Sequence, residues 1–167
     1  MKISFIKKFL IDPAYKEKRD FLTHLPIFKG LKSADFTYLL RTLQERTYLK
    51  GETLFLEGDI GRALFIVVSG SIQLTRLDES GKLQPVAEVK PGEIFGEMAL
   101  LEEMPRTATA SAGEKSKVYL LYKNKLDALL YEYPRVGVVI VHYLAQMLSA
   151  RLRSIIEAQR CPPAAPK

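Results

Sequence analysis

The stretch Lys90-Pro-Gly-Glu-Ile-Phe-Gly96-Glu97-Met-Ala-Leu-Leu-Glu-Glu-Met-Pro105-Arg106-Thr-Ala-Thr-Ala110 decides how this chain is read. A strand stops at Pro91-Gly92, and Gly96 permits a backbone conformation or a close approach that a side chain would forbid. Residues 97–101 suit one short helical turn, whose first N–H groups point outward and favour an anion. Pro105 ends that turn and delivers Arg106 at the head of the next strand. A guanidinium fork beside a helix start is a phosphate-binding device, because it donates paired hydrogen bonds to two oxygens. Glu97 is an acceptor suited to a sugar hydroxyl, and Thr107 offers a further hydroxyl. Ala99, Ala108 and Ala110 leave room for a ligand. The same residues also fit a plain ion pair between Glu97 and Arg106 around a tight turn, and spacing alone does not choose between the two.

The flanking sequence reads as many short strands. Residues 49–59 hold two extended runs broken by glycines. Residues 63–68 are apolar and β-branched and end at Ser69-Gly70, and residues 71–76 alternate with Ile72 and Leu74 on one face. Residues 78–81 read as a turn and 83–89 as a returning strand. Residues 106–112 and 117–122 alternate again, with Val118, Leu120 and Tyr122 sharing a face. The expected fold is mainly β with flanking helices: a β-roll or jelly-roll barrel over about residues 45–122.

Helical patterns lie at both ends. Residues 1–19 are expected to form a basic helical extension, and residues 20–31 short helical pieces punctuated by Pro26 and Gly30. Ser33 or Asp35 is placed to cap a helix carrying Phe36, Leu39, Leu40 and Leu43, and strand periodicity starts at Thr47. Past Tyr122, Asn124 is expected to cap a helix through Leu126, Leu129 and Leu130 that Pro134 ends. A long helix over about 135–157 follows, with Val141, Leu144, Leu148, Leu152 and Ile155 as an apolar seam for the barrel or a second subunit. The Pro-rich tail, 159–167, is expected to be disordered.

Composition narrows the classes. A chain of 167 residues suits one domain with a real core. The lone Cys161 excludes a disulfide framework and fits a reducing cytoplasm. Lys7 and Lys8 interrupt the apolar start, against a signal peptide. The best candidate for a membrane span, residues 136–141, is far too short. The net charge of +6 raises nucleic-acid binding, but the basic residues are scattered and read as solvated surface.

The stretch 95–110 resembles the phosphate-binding cassette of cyclic-nucleotide-binding domains, the family of bacterial catabolite activators and of cyclic-nucleotide-dependent kinase regulatory domains. The glycine-marked turns at 50–59, 64–70 and 90–96 resemble that family too, as do Leu25-Pro-Ile-Phe28 and the two last helices, so the resemblance covers residues 20–158. It implies a regulatory domain that binds cyclic AMP or cyclic GMP, with cyclic AMP favoured, and no other cofactor. It implies that Arg106 clamps the cyclic phosphate and that Glu97 takes the ribose 2′-hydroxyl beside the Gly96 backbone. Ala99, Leu100, Thr107 and Ala108 match positions lining phosphate and base, within a cassette that also holds Phe95, Met98 and Pro105. Arg151 and Ile155 are candidate base caps on the last helix. Thr107 permits guanine without requiring it. Met98 stands where leucine is more usual, and Glu102 and Glu103 are expected to face solvent.

Other classes fare worse. A cupin metal site needs several converging histidines, whereas His24 and His142 both fall in expected helices and read as ordinary helix or packing residues. Cys161 has no base near it in sequence, and no Ser–His–Asp pattern stands out, so no enzyme is expected. A catabolite-activator-type regulator would follow the long helix with a helix-turn-helix reader, and too few residues remain for one. Direct DNA binding is therefore not expected, and the chain is read as a small protein or as a fragment or variant of such a regulator. A kinase regulatory subunit would carry an inhibitory basic sequence, which residues 16–20 match poorly. A fold that has lost its ligand is the last alternative, and the presence of Glu97 and Arg106 argues against it. The expected partners are a cyclic nucleotide and an unknown protein effector, with a homodimer through the C-terminal helix and no membrane.

Overall fold

β3 (Ala63–Ser69) is apolar on both faces, and its two faces end in two different hydrophobic clusters. Ala63, Phe65 and Val67 point between the sheets, where they meet Ile72, Val89, Phe95, Ala110, Ala112, Val118 and Leu120. Leu64 and Ile66 point outward, under the helices, with Tyr119 and Leu121. A strand buried on both sides reads as a continuous apolar run, which is why residues 63–68 carry no polar alternation.

The structure is a computed structural model that describes residues 13–102 and 104–160. The expectations for residues 1–12, Glu103, Cys161 and the rest of the tail lie outside the described residues, and so does the side chain of Ala99. Eight strands make two antiparallel sheets. One has the order β1 (Gln44–Tyr48), β8 (Ser116–Tyr122), β3, β6 (Ile94–Phe95). The other has the order β2 (Thr53–Phe55), β7 (Thr109–Ala112), β4 (Ile72–Leu77), β5 (Leu83–Val89). Face to face they form the expected jelly-roll-like core.

β1 starts at Gln44, three residues before the expected onset at Thr47. Its residues Gln-Glu-Arg-Thr-Tyr are nearly all exposed, so no apolar alternation announces it. Backbone pairing with β8, from Gln44↔Leu120 to Tyr48↔Ser116, makes it a strand. β7 is shorter than expected and starts at Thr109, because Pro105 and Arg106 are held instead by the loop around Ile60.

The helices cover the outer face of the β3–β8 sheet. α1 (Pro13–Thr23) crosses the boundary expected at residue 19, and its Tyr15 and Leu22 join the main core. Lys18 ties it down by donating to Leu40 O at 3.1 Å and Leu43 O at 2.8 Å, at the C-terminal end of α2 (Asp35–Thr42), with its ammonium over the Tyr119 ring. Burial pushes that ammonium below its usual pKa. Neither expected cap operates at α2: the N-cap is Ala34, and Asp35 instead accepts from Lys32 N–H at 2.7 Å and pairs with Arg135 at 3.4 Å. His24 lies just past α1, not inside it.

α4 (Lys123–Glu132) continues directly from β8, so Tyr122 is its N-cap and Asn124 lies inside its first turn. Pro134 does not end α4 but opens α5 (Pro134–Arg160), the position where a missing N–H costs nothing. Tyr133 absorbs the break at φ −133°, ψ 61°, as the residue before a proline is excluded from helical geometry. The helices cross closely here, since a Cβ on Gly137 would lie 2.8 Å from Leu130 Cα. α5 runs through residues 159 and 160, which were expected to belong to the tail.

The β4–β5 hairpin turns on Asp78. Its Oδ1 accepts from Ser80 N–H (2.9 Å), Ser80 Oγ (2.7 Å) and Lys82 N–H (2.9 Å), and its Oδ2 accepts from Gln84 Nε2 (2.9 Å). Those donors, the Ser80 hydroxyl first, hold the carboxyl down at about 2. A depressed carboxylate pKa contributes stability that is full above 3.8 and lost as pH falls toward about 2. The Asp78 carboxyl carbon should therefore titrate near pH 2 by NMR, with hairpin amide protection fading over the same window. A midpoint at 3.8 would show that the turn does not hold the carboxylate.

Candidate functional site

The backbone places Arg106 before its side chain does anything. Arg106 N–H donates to Asp59 O at 2.8 Å, and Arg106 O accepts from Gly58 N–H at 2.9 Å. A bridge between Ile60 and Pro105 holds the strand start in line. The guanidinium then donates from Nη1 to Gly96 O (3.1 Å) and from Nη2 to Ala63 O (2.8 Å). It lies 4.1 Å above the Phe55 ring centre. Both carbonyls and the ring fix the fork while occupying only two of an arginine's five N–H donors. Burial pushes this guanidinium below its usual pKa, and the Asp59 and Glu97 carboxylates oppose that shift.

Gly96 makes room for the fork. Its φ is +70°, and a Cβ there would stand 2.5 Å from Arg106 Nη1. The backbone sign favours glycine, and a Cβ would push the guanidinium out of the place it holds. Phe95, one residue before it, is buried and stacked on Phe65 at 5.0 Å, which fixes the floor beneath.

Glu97 is the N-cap of α3 (Met98–Leu101), yet its side chain makes no cap hydrogen bond. Its carboxylate accepts from Arg151 Nη1 on α5. The ion pair recorded for Glu97 is thus with Arg151 and not with Arg106, so the plain turn ion pair does not form. Glu97 is 4% exposed and Arg106 9%, two of the three buried polar or charged residues among those described.

Both face a cavity of about 710 Å³. From the expected set, Phe95, Gly96, Glu97, Met98, Pro105, Arg106, Thr107, Ala108 and Arg151 line it. Leu100 does not; it is 2% exposed and packs into the helical core, holding α3 in place. Ile155 is not on the wall and is 56% exposed, one turn beyond Arg151. Thr107 and Glu102 are exposed at the rim.

Sequence reasoning missed the opposite wall. Leu74, Ala87 and Val89 of β4 and β5 line it with Phe55, Tyr143 and Met147. Ile72 pairs with Val89 and Leu74 with Ala87, so the strand alternation already noted at Ile72 and Leu74 was the available signal. Tyr143, Met147 and Arg151 recur every four residues on one stripe of α5, beside the apolar seam that drew attention instead.

Among the described residues no cluster of histidine, cysteine, aspartate and glutamate is placed to hold a metal ion. None of the described helices is long and apolar enough to cross a membrane.

The profile of the family described as "Cyclic nucleotide-binding domain" matches residues 45–133. The chain is 38% identical over 128 residues to the cyclic AMP receptor protein of Thermus thermophilus, covering 77% of this chain and 57% of that protein. The crystal structure of the Thermus thermophilus catabolite activator protein superposes with a TM-score of 0.73 at 36% identity, over 81% of this chain and 62% of that one. The regulatory domain of Toxoplasma gondii PKA, solved with cAMP, superposes with a TM-score of 0.63 at 30% identity, over 72% of this chain and 46% of that one. The chain therefore spans about half the length of each of these three relatives. With the jelly-roll core, the glycine-bounded turn at Gly96 and the matched sequence, this chain belongs to the cyclic nucleotide-binding domain family.

Proposed function

We propose that this chain is a sensor whose cavity binds a cyclic purine nucleotide, cyclic AMP in preference to cyclic GMP. The observation that carries this is two buried charges of opposite sign, Glu97 and Arg106, facing one cavity across the turn at Gly96. The donors of Arg106 not used by Gly96 and Ala63 take the cyclic phosphate, and Glu97 accepts from the ribose 2′-hydroxyl. Thr107 and Ala108 border the phosphate. The apolar wall of Leu74, Ala87 and Val89 takes the purine, with Tyr143 and Met147 over it. The Thermus thermophilus relative is a cyclic AMP receptor protein and the Toxoplasma gondii domain was solved with cAMP, which supports the choice of adenine.

The Glu97–Arg151 contact adds a mechanism. A ribose hydroxyl entering the site meets a carboxylate already held by α5, so ligand and helix share one acceptor. Binding then shifts α5 about Tyr133 by as much as the ligand's affinity differs between the two helix positions. Further along α5, Leu152, Ile155 and Ile156 are exposed at seam spacing, and a second copy of the same helix covers them in a homodimer.

Calorimetric titration with cyclic AMP and cyclic GMP tests the ligand, and hydrogen exchange over residues 135–157 tests the coupling. Cyclic AMP is expected to bind, and Glu97→Gln to weaken it about tenfold or more, the scale of one charged hydrogen bond. No binding of either nucleotide would overturn the assignment; unchanged protection in α5 would overturn the switch. Light scattering giving only a monomer mass at high concentration would exclude the homodimer.

A further inference from the structure

Three of the chain's four methionines, Met98, Met104 and Met147, stand on the wall of this single cavity. They come from α3, from the loop before β7 and from α5. Met98 directly follows Glu97, and Met104 precedes Arg106 by two residues, and all four line the same cavity. Met98 is 44% exposed and Met104 56%, whereas Met147 is half-buried against the helical core. An apolar rim can be built from leucine or isoleucine; thioethers add an oxidisable atom that those residues lack.

We propose that Met98 and Met104 are a modification site through which peroxides lower the affinity of the cavity for its ligand, an inference that rests on the cyclic-nucleotide reading above. The sulfur lone pair attacks one peroxide oxygen, the O–O bond breaks and water leaves, so that thioether and hydrogen peroxide become sulfoxide and water. The product is a polar, chiral side chain whose new oxygen only accepts hydrogen bonds. A cyclic phosphate is itself all acceptors. A sulfoxide at the mouth of the cavity therefore competes with it for the donors of Arg106 and replaces apolar contact with a group that lacks a partner once the ligand covers it. Exposure orders the reactivity: Met104 and Met98 before Met147, with bound ligand shielding the first two.

The test uses the full chain in a Cys161→Ser background, which removes the lone thiol as a second peroxide target. The protein is treated with hydrogen peroxide with and without cyclic AMP, the sulfoxides are located by peptide mass spectrometry, and affinity is read by calorimetry. Each protein is compared with its own reduced form. Sulfoxide is expected on Met98 and Met104 first, with an affinity loss of about tenfold, the scale of one buried polar atom left unpaired. Methionine sulfoxide reductases are expected to restore binding, and the double variant Met98→Leu, Met104→Leu to lose less than about twofold on the same treatment. Unchanged affinity with both sulfurs oxidised would overturn the inference, and so would an equal loss in the double variant. Absence of nucleotide binding in the reduced protein is a different result, which removes the proposed ligand and this inference with it.

Discussion

Arg106→Ala is expected to lower affinity for cyclic AMP by about thirtyfold or more, since truncating one partner of a buried charged pair costs about 2–5 kcal/mol. The fork is preorganised: two carbonyls and the Phe55 ring hold it before any ligand arrives. No other cationic side chain among those lining the cavity is buried, as Arg151 has a side chain 53% exposed and engaged with Glu97. The same substitution leaves the carbonyls of Gly96 and Ala63 without their donor and should lower stability by about 1–3 kcal/mol. Calorimetry and denaturant unfolding on one preparation separate the two effects. Arg106→Lys keeps the charge but not the fork, and is expected to fall between wild type and alanine. Equal affinity of wild type and Arg106→Ala would remove the phosphate from this end of the cavity.

The largest loss of stability is expected at Gly70, between β3 and β4. Its φ is +81°, and a Cβ there would lie 2.3 Å from Ser116 Oγ, 2.6 Å from Lys115 O and 2.7 Å from Ser116 Cα. Two of those atoms are backbone and cannot rotate away. Ser116 is fully buried, and its hydroxyl accepts from Ser71 N–H at 3.1 Å and lies within reach of Ser71 O (3.0 Å) and Glu114 O (2.8 Å). Gly70→Ala thus adds a collision and a broken hydrogen-bond cluster to the left-handed strain, for a total of about 3 kcal/mol or more. Gly58 is the control: its φ is +86° with nothing within 4 Å of the added Cβ. Gly58→Ala should cost only about 1 kcal/mol, the conformational part alone. Denaturation midpoints at constant slope measure both, and equal losses would refute the collision.

What could be read in the chain before its structure followed a pattern. β3, β4 and β8 were visible because each buries apolar residues on at least one face, and burial leaves them at the period of the strand. β5, exposed except at Val89, was visible as the return from the turn at residues 78–81. α3 was visible because a glycine and a proline bracket it. β1 was not: its exposed residues, Gln-Glu-Arg-Thr-Tyr, make no core contact at most positions, and pairing with β8 needs partners 68 to 76 residues away. Leu100 was grouped with the site because it sits inside the cassette. One turn of helix turns neighbouring side chains to opposite sides, so Met98 reaches the cavity while Leu100 enters the core.

Glu97, Arg106 and the glycine just before Glu97 were legible by themselves, because local chain geometry makes the turn and the residue types set its chemistry. Spacing alone left the ion pair alternative open, since an arginine and a glutamate nine residues apart are free to meet. Only the tertiary structure separated them. Phe55, Ala63 and Gly96 give Arg106 other partners, and α5 brings Arg151 to Glu97 from 54 residues further along the chain. The opposite wall, Leu74, Ala87, Tyr143 and Met147, likewise exists only once the sheets close and α5 folds back at Tyr133. Such contacts depend on where distant elements pack, and side-chain period within one element carries no information about that.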